Sequence, residues 1–335
     1  MDLTSSEESS ALAETVRMVL EGMVTPDLIR SVGRGPDNSE VRLCWEAISE
    51  TGVLGALVPE VSGGLDLSMT DVIETFEAFG YFGTPLPYIE SICLTAPAMA
   101  AADSTLLDGV LKGNVVVTAT TSAADPAGYA GMSDFVLVGS EEQAEPSAYM
   151  CECSSSVLLA GSASIDESRA FRYVDVPDEA RLMMVDAKSW ERATIASASA
   201  LVGLSRRILD MTVEYVAQRQ QFGRPIGSFQ AIKHQLADVE AKLVRVVPLI
   251  KAGACEVDRT EAGGFRYVSA AKIMAGRVAA ETAKVGLQCH GAMAYTTEYD
   301  LQLFAKQIWA LSVQWGSVTQ HRRRLAQQLD TELVA

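Results

Sequence analysis

The chain has 335 residues, 48% of them hydrophobic, and a formal charge of −16 from 43 acidic against 27 basic side chains. This composition predicts a folded protein with more than one domain, and it opposes binding to nucleic acid or anionic membranes, which need basic surface. No apolar run approaches the roughly 18 residues that span a bilayer. The opening MDLTSSEESS is too acidic and polar for a secretory signal. Six cysteines and three scattered histidines offer no zinc set, so free thiols, no metal and a cytoplasmic location are expected.

The chain divides into three parts: 1–113 helical, 114–188 a short β domain, and 189–335 helical again. In the first, Thr4 and Glu7 have the spacing of a capping box, and Leu12, Val16, Val19 and Met23 follow at helical intervals. A short apolar run ends at Pro59, and a Gly63-Gly64 turn follows. A second helix is expected to open near Ser68, with Asp71 in its first turn and Val72, Phe76 and Phe79 on one face.

In the second part, VVVTAT, DFVLVG, SAYMCE, SVLLAG, FRYVDV and RLMMVD are short runs bounded by Gly, Pro, Ser and Asp. They predict a small antiparallel barrel or sandwich, so the whole chain is of the α+β class. In the third, Leu201, Leu204, Ile208, Met211 and Tyr215 form one stripe, and Ile232, Leu236, Val239, Leu243 and Val246 a second. An alanine-rich segment follows, and Leu301, Phe304, Ile308, Leu311, Trp315 and Val318 make a last stripe. These predict a four-helix bundle. Pro225 cannot continue a helix, so Gln218 to Gly227 is expected to be a turn between two long helices.

Three stretches, taken in order, resemble the signatures of the acyl-CoA dehydrogenases: ETGVLGALVPEVSGGLDLSMTDV, EYVAQRQQFGRPIGSFQAIKHQLADV and GLQCHGAMAYTTEYDLQLFAKQ. The resemblance implies an N-terminal helical domain, a middle β domain and a C-terminal four-helix bundle. It also implies FAD as cofactor and desaturation of an acyl-CoA thioester, in which a carboxylate takes an α-proton and the β-hydrogen leaves as hydride. Electron-transfer flavoprotein would be the acceptor. By the family pattern, Arg219 would meet the FAD pyrophosphate of a neighbouring subunit, with Gln221, Phe222 and Gln230 beside it. Gln288 and the backbone at Gly291 would serve the adenosine end. The family's glycine pair is Gly291-Ala292 here, and its later glycine is Ala294.

The departures are as informative. The middle part lacks the family's T-E-P-x-x-G-S-D stretch and W-[IV]-T motif, which hold the flavin ring within one subunit; TSAADPAGYAGMSDFVLV stands in that place. Counting from Thr297 to Tyr299, the family's E-G-T turn puts its glycine on Gly316 and its glutamate on Trp315, which is expected to pack in the core. The alternative base position falls near Ala193. Its nearest carboxylate is Glu191, expected at the helix's surface or first turn. The chain therefore resembles the shortened subunit of bacterial heteromeric α2β2 acyl-CoA dehydrogenases, some of them associated with bulky acids such as sterol side chains. A longer homologue would supply the base. A homo-oligomeric enzyme using Glu191, or a scaffold binding no flavin, are the alternatives.

Overall fold

A computed structural model describes residues 6–32, 38–140, 146–154, 156–161, 164–259 and 265–334. The N-terminal part contains α1 (Glu7–Met23), α2 (Pro26–Ser31), α3 (Ser39–Ser49) and α4 (Met69–Phe82). It continues through α5 (Tyr88–Glu90), one π turn at Ser91–Thr95, α6 (Ala96–Ala101) and α7 (Leu107–Leu111). Thr4, expected to cap α1, lies outside the described residues. Ser6 holds the cap: its extended backbone lets the hydroxyl accept the Ser9 N–H at 3.1 Å. The Ser68–Asp71 capping box of α4 is complete, and Asp258 accepts the Met69 and Thr70 N–H groups at 2.8 and 2.9 Å. Val72, Phe76 and Phe79 are buried on one face of α4.

All six apolar runs of the middle part form strands: β1 (Val117–Thr120), β2 (Phe135–Ser140), β3 (Ser147–Glu152), β4 (Leu158–Gly161), β5 (Arg172–Val174) and β6 (Arg181–Met184). They make a four-stranded sheet in the order β1-β2-β3-β6 and a two-stranded sheet of β4 and β5. The expectation of an all-antiparallel arrangement is corrected at β1 and β2, which pair in parallel. Residues 121–134 carry the chain back across the sheet, so β2 starts at the same end as β1. Alternation sorts the side chains: Leu137 joins the main core, whereas Val136 and Val138 meet Val157 and Val174 in a second small core. Arg42 of α3 docks this domain, pairing with Asp134 at 2.9 Å.

The C-terminal part has α8 (Ala187–Gln218), a two-residue β-hairpin of β7 (Gln220–Gln221) and β8 (Arg224–Pro225), α9 (Gln230–Arg259) and α10 (Arg266–His290). It ends in α11 (Leu301–Val313) and α12 (Val318–Val334). The expected turn between two long helices is present, and one expectation is corrected. The connection after α8 is a hairpin, with both central residues left-handed: Phe222 at φ 54° and Gly223 at φ 76°. The last stripe is broken, so that α11 and α12 stand where one helix was expected. Trp315 at φ 57° and Gly316 at φ 98° are incompatible with a continuous helix.

α8 packs against α4, α9, α10 and α11, so it forms the axis of the helical assembly. Its crossing with α4 is made by glycine. A Cβ on Gly203 would overlap the Glu77 carbonyl, and one on Gly80 would overlap that of Ala200. Ser199 Oγ also donates to the Ile73 carbonyl across this contact at 2.8 Å. In an open helix Gly203→Ala would stabilise by about 1 kcal/mol. Here overpacking reverses the sign, and a loss of about 1–3 kcal/mol is expected. Urea unfolding should show a lowered midpoint for Gly203→Ala; an unchanged or raised one would mean that the helices separate without cost.

Candidate functional site

The sequence-predicted site residues lie in two groups, at opposite ends of α8. At its C-terminal end, Arg219 is exposed and makes no ion pair among the described residues; its N–H is held by the Tyr215 carbonyl at 2.8 Å and its own carbonyl by the Ile226 N–H at 2.8 Å. Both bonds fix the start of the hairpin. Phe222 sits at the hairpin tip and is 91% exposed, with only an edge contact to Phe229 at 6.2 Å. The Arg224 guanidinium stacks 4.1 Å over the Phe229 ring, which stiffens the hairpin base. Gln221 and Gln230 are exposed beside it.

The last turn of α10 arrives at the same end. His290 stacks on Tyr215 at 4.2 Å between ring centres, and its Nδ1 donates to the Gly286 carbonyl at 2.8 Å. Burial holds His290 below the usual histidine range. Gln288 and Gly291 are exposed, and Gly291 adopts φ 64°, ψ −143°, a backbone open to glycine alone. A Cβ there would meet nothing within 4 Å, so the backbone angle and not crowding calls for glycine. The structure thus brings Arg219, Gln221, Phe222, Gln230, Gln288 and Gly291 to one end of the fold.

At the other end, a cavity of about 660 Å³ lies between the middle domain and the Gln314–Ser317 turn, walled by Thr120, Asp125, Phe171, Gln314, Trp315 and Arg324. Trp315 is 6% exposed and packs 5.5 Å from Trp190. It is a core residue, as expected, but it stands in the turn and not on a helix. Its carbonyl accepts from His321 Nε2 at 2.9 Å and Thr194 Oγ1 at 3.4 Å. The polar groups of the adjoining loop bond to one another: Thr120 Oγ1 donates to the Asp125 carbonyl at 3.1 Å, and Ser122 Oγ to its carboxylate at 3.2 Å.

Glu191 differs from expectation. It is the fifth residue of α8, only 8% exposed, and both its oxygens are bound by Arg324, at 2.6 and 3.0 Å. Burial raises its pKa, and the guanidinium pulls against that rise. The pair spans 133 residues of sequence, so no local pattern announced it. Gln314 is a second residue missed from the sequence. Its amide donates to Glu90 at 2.8 Å and accepts from the buried Arg169, linking all three parts of the chain.

Glu191 and Arg219 are 28 residues apart on one helix, about 40 Å along its axis at 1.5 Å per residue. The hairpin group and the cavity are therefore too far apart to meet over one small cofactor within a single chain.

Two family models match this chain: acyl-CoA dehydrogenase, N-terminal domain, over residues 6–103, and acyl-CoA dehydrogenase, C-terminal domain, over residues 183–329. Acyl-CoA dehydrogenase IpdE2 of Mycobacterium tuberculosis is 28% identical over 312 residues, covering 91% of this chain and 92% of the relative. Two solved assemblies are similar in fold. The Tcur3481-Tcur3483 steroid ACAD G363A variant superposes with a TM-score of 0.85 at 21% identity, and the ChsE4-ChsE5 complex from Mycobacterium tuberculosis with 0.84 at 21%. Each covers 98% of this chain and is itself covered to 99%.

Removing Arg324 leaves Glu191 as a buried carboxylate without its cation. Arg324→Met should cost about 1–3 kcal/mol near pH 7. Because burial raises the folded carboxyl's pKa, the folded variant holds its proton more tightly than the unfolded chain. The loss should shrink as pH falls into the carboxylate range. Urea midpoints at pH 5 and pH 7.5 check this; an equal loss at both would mean that Glu191 does not feel its burial.

Proposed function

The chain belongs to the acyl-CoA dehydrogenase family, whose cofactor is FAD, and we propose that it is the subunit of a heteromeric member that completes the FAD site of a longer partner. The observation that carries this reading is the hairpin group. Arg219 and Phe222 extend from the end of α8 with no ion pair and almost no packing among the described residues, some 40 Å along the helix axis from its own interdomain cavity. The donor chemistry there fits FAD. A guanidinium suits a pyrophosphate, the amides of Gln221, Gln230 and Gln288 suit adenosine and ribose, and the exposed Phe222 ring offers an apolar face. At the other end, the loop hydroxyls are already engaged with Asp125, and an indole occupies the turn where the family carries its base. An indole cannot accept a proton from carbon.

When bound, FAD supplies the hydride-accepting ring. This chain's own residues would hold the phosphates through Arg219, cover part of the cofactor with Phe222 and leave the α-proton to a carboxylate of the partner. The substrate is an acyl-CoA thioester. The similar structure named as a steroid ACAD supports a bulky, sterol-derived acyl group, and the ChsE4-ChsE5 complex among the similar structures supports a second subunit. Electron-transfer flavoprotein would reoxidise the cofactor, in the cytoplasm; no described helix is long and apolar enough to cross a membrane. The homo-oligomeric alternative, with Glu191 as base, is disfavoured by the bidentate Arg324 pair, because that carboxylate is already committed.

Co-expression with the longer homologue tests the reading. The complex should be yellow and reduce an acceptor dye, whereas the lone chain should be colourless. Arg219→Ala should lower flavin affinity about tenfold or more, the size of one lost charge-assisted contact, with assembly intact. Glu191→Gln should leave turnover within a few-fold of the parent complex, against the roughly 10²–10⁴-fold loss that removal of a positioned base brings. A colourless but stable complex would favour the scaffold alternative. A base-sized loss in Glu191→Gln, with flavin content unchanged, would return the base to this chain.

A further inference from the structure

Behind the cavity wall lies a polar cluster with no part in the reading above. Lys272 of α10 is 1% exposed, and its ammonium nitrogen reaches Ser197 Oγ of α8 at 2.8 Å and the Leu311 carbonyl of α11 at 2.9 Å. Leu311 lies in the last turn of α11, which ends at Val313 and leads into the Gln314–Ser317 turn. His321 of α12 fixes the turn from the other side: its Nε2–H donates to the Trp315 carbonyl at 2.9 Å, and its Nδ1 faces Ser269 Oγ at 3.2 Å. A Cβ on Gly316 would strike the His321 ring, so turn and imidazole are fitted together. No carboxylate pairs with Lys272 among the described residues. Glu191 of α8 is bound by Arg324, and Glu256 of α9 accepts the first N–H groups of α10. The charges felt from elsewhere, Arg169 at Lys272 and Arg324 at His321, are cations.

We propose that Lys272 is a proton-operated latch on the Gln314–Ser317 turn: uncharged it lets the turn close the cavity wall, and charged it loosens that wall. The physical reason is the count of partners. A neutral amine has two N–H donors, matching the two acceptors present. An ammonium has three, and among the described residues neither a third acceptor nor an anion is bonded to it. Solvating the added charge requires water, and the nearest way in is past the Trp315–Gly316 turn, whose far side lines the cavity. Burial agrees in direction, lowering the Lys272 pKa to about 7 and that of His321 to about 4. Lys272 thus changes charge near neutral pH, while His321 stays neutral and keeps its bond to the turn.

Trp315 packs on Trp190 and reports the movement. Tryptophan emission of the full chain should shift between pH 8.5 and pH 5.5, with a midpoint near 7. The shift should vanish in Lys272→Met, which removes the amine at similar volume, and be strongly reduced in Trp315→Phe. Far-ultraviolet circular dichroism should stay constant throughout. Emission that is flat across this range in the parent chain, or a shift that survives in Lys272→Met, would overturn the proposal. Should Lys272→Met fail to fold, the parent titration with the Trp315→Phe control decides it: no Trp315-dependent transition near pH 7 means no latch.

Discussion

Where α4 crosses α8, the backbones touch, and the placement of the N-terminal part against the axial helix depends on that contact. Gly80 and Gly203 face carbonyl oxygens of the opposite helix with no room for a methyl group. The close approach buries nearly the whole N-terminal two-thirds of α8, which is rich in alanine and serine at this level. This 32-residue helix is sheathed on several sides and about 48 Å long at 1.5 Å per residue. It fixes the hairpin at one end and the interdomain cavity at the other, and no loop movement brings them together.

The second constraint is the seam at Gln314. Arg169, Glu90 and Asp166 are all buried, and burial raises the carboxyl pKa values while Arg169 opposes it. A neutral amide between cation and carboxylate satisfies both without adding charge. Because Glu90 belongs to the N-terminal part, Arg169 to the middle and Gln314 to the C-terminal part, this small network aligns all three. It also explains the broken last stripe. Gln314 and Trp315 must point to different partners, and a continuous helix would carry Gln314 off its two ligands.

The two ends of α8 therefore differ in kind. At the cavity end most polar groups are paired within the chain: its carboxylate has its guanidinium, its loop hydroxyls have Asp125, and its turn carbonyl has two donors, while the buried Trp315 indole N–H has no partner among the described residues. The hairpin end is unsatisfied, with an arginine, three amides and a phenylalanine that make little use of one another. Leaving such groups exposed on a rigid support suits recognition by a second molecule, and a base held by Arg324 does not suit proton abstraction.

The sequence alone determined the three-part layout, the helical stripes, all six strands of the middle domain and the Ser68–Asp71 cap, because these follow from periodicity and short-range chemistry. Pro225 and the Arg219–Gly223 run also announced a break between two long helices. What needed the tertiary structure were contacts distant in sequence and backbone angles set by them. The parallel pairing of β1 with β2 depends on the path of residues 121–134, and the break at Trp315 on bonds from His321, Thr194 and Gln314. Glu191 reads as a helix-surface acid until Arg324 arrives from 133 residues away. The six residues proposed as FAD contacts were named one by one from the resemblance. That all six share one end of α8, about 40 Å from the cavity, is a property of helix length and of the stacking of His290 on Tyr215, which only the folded chain decides.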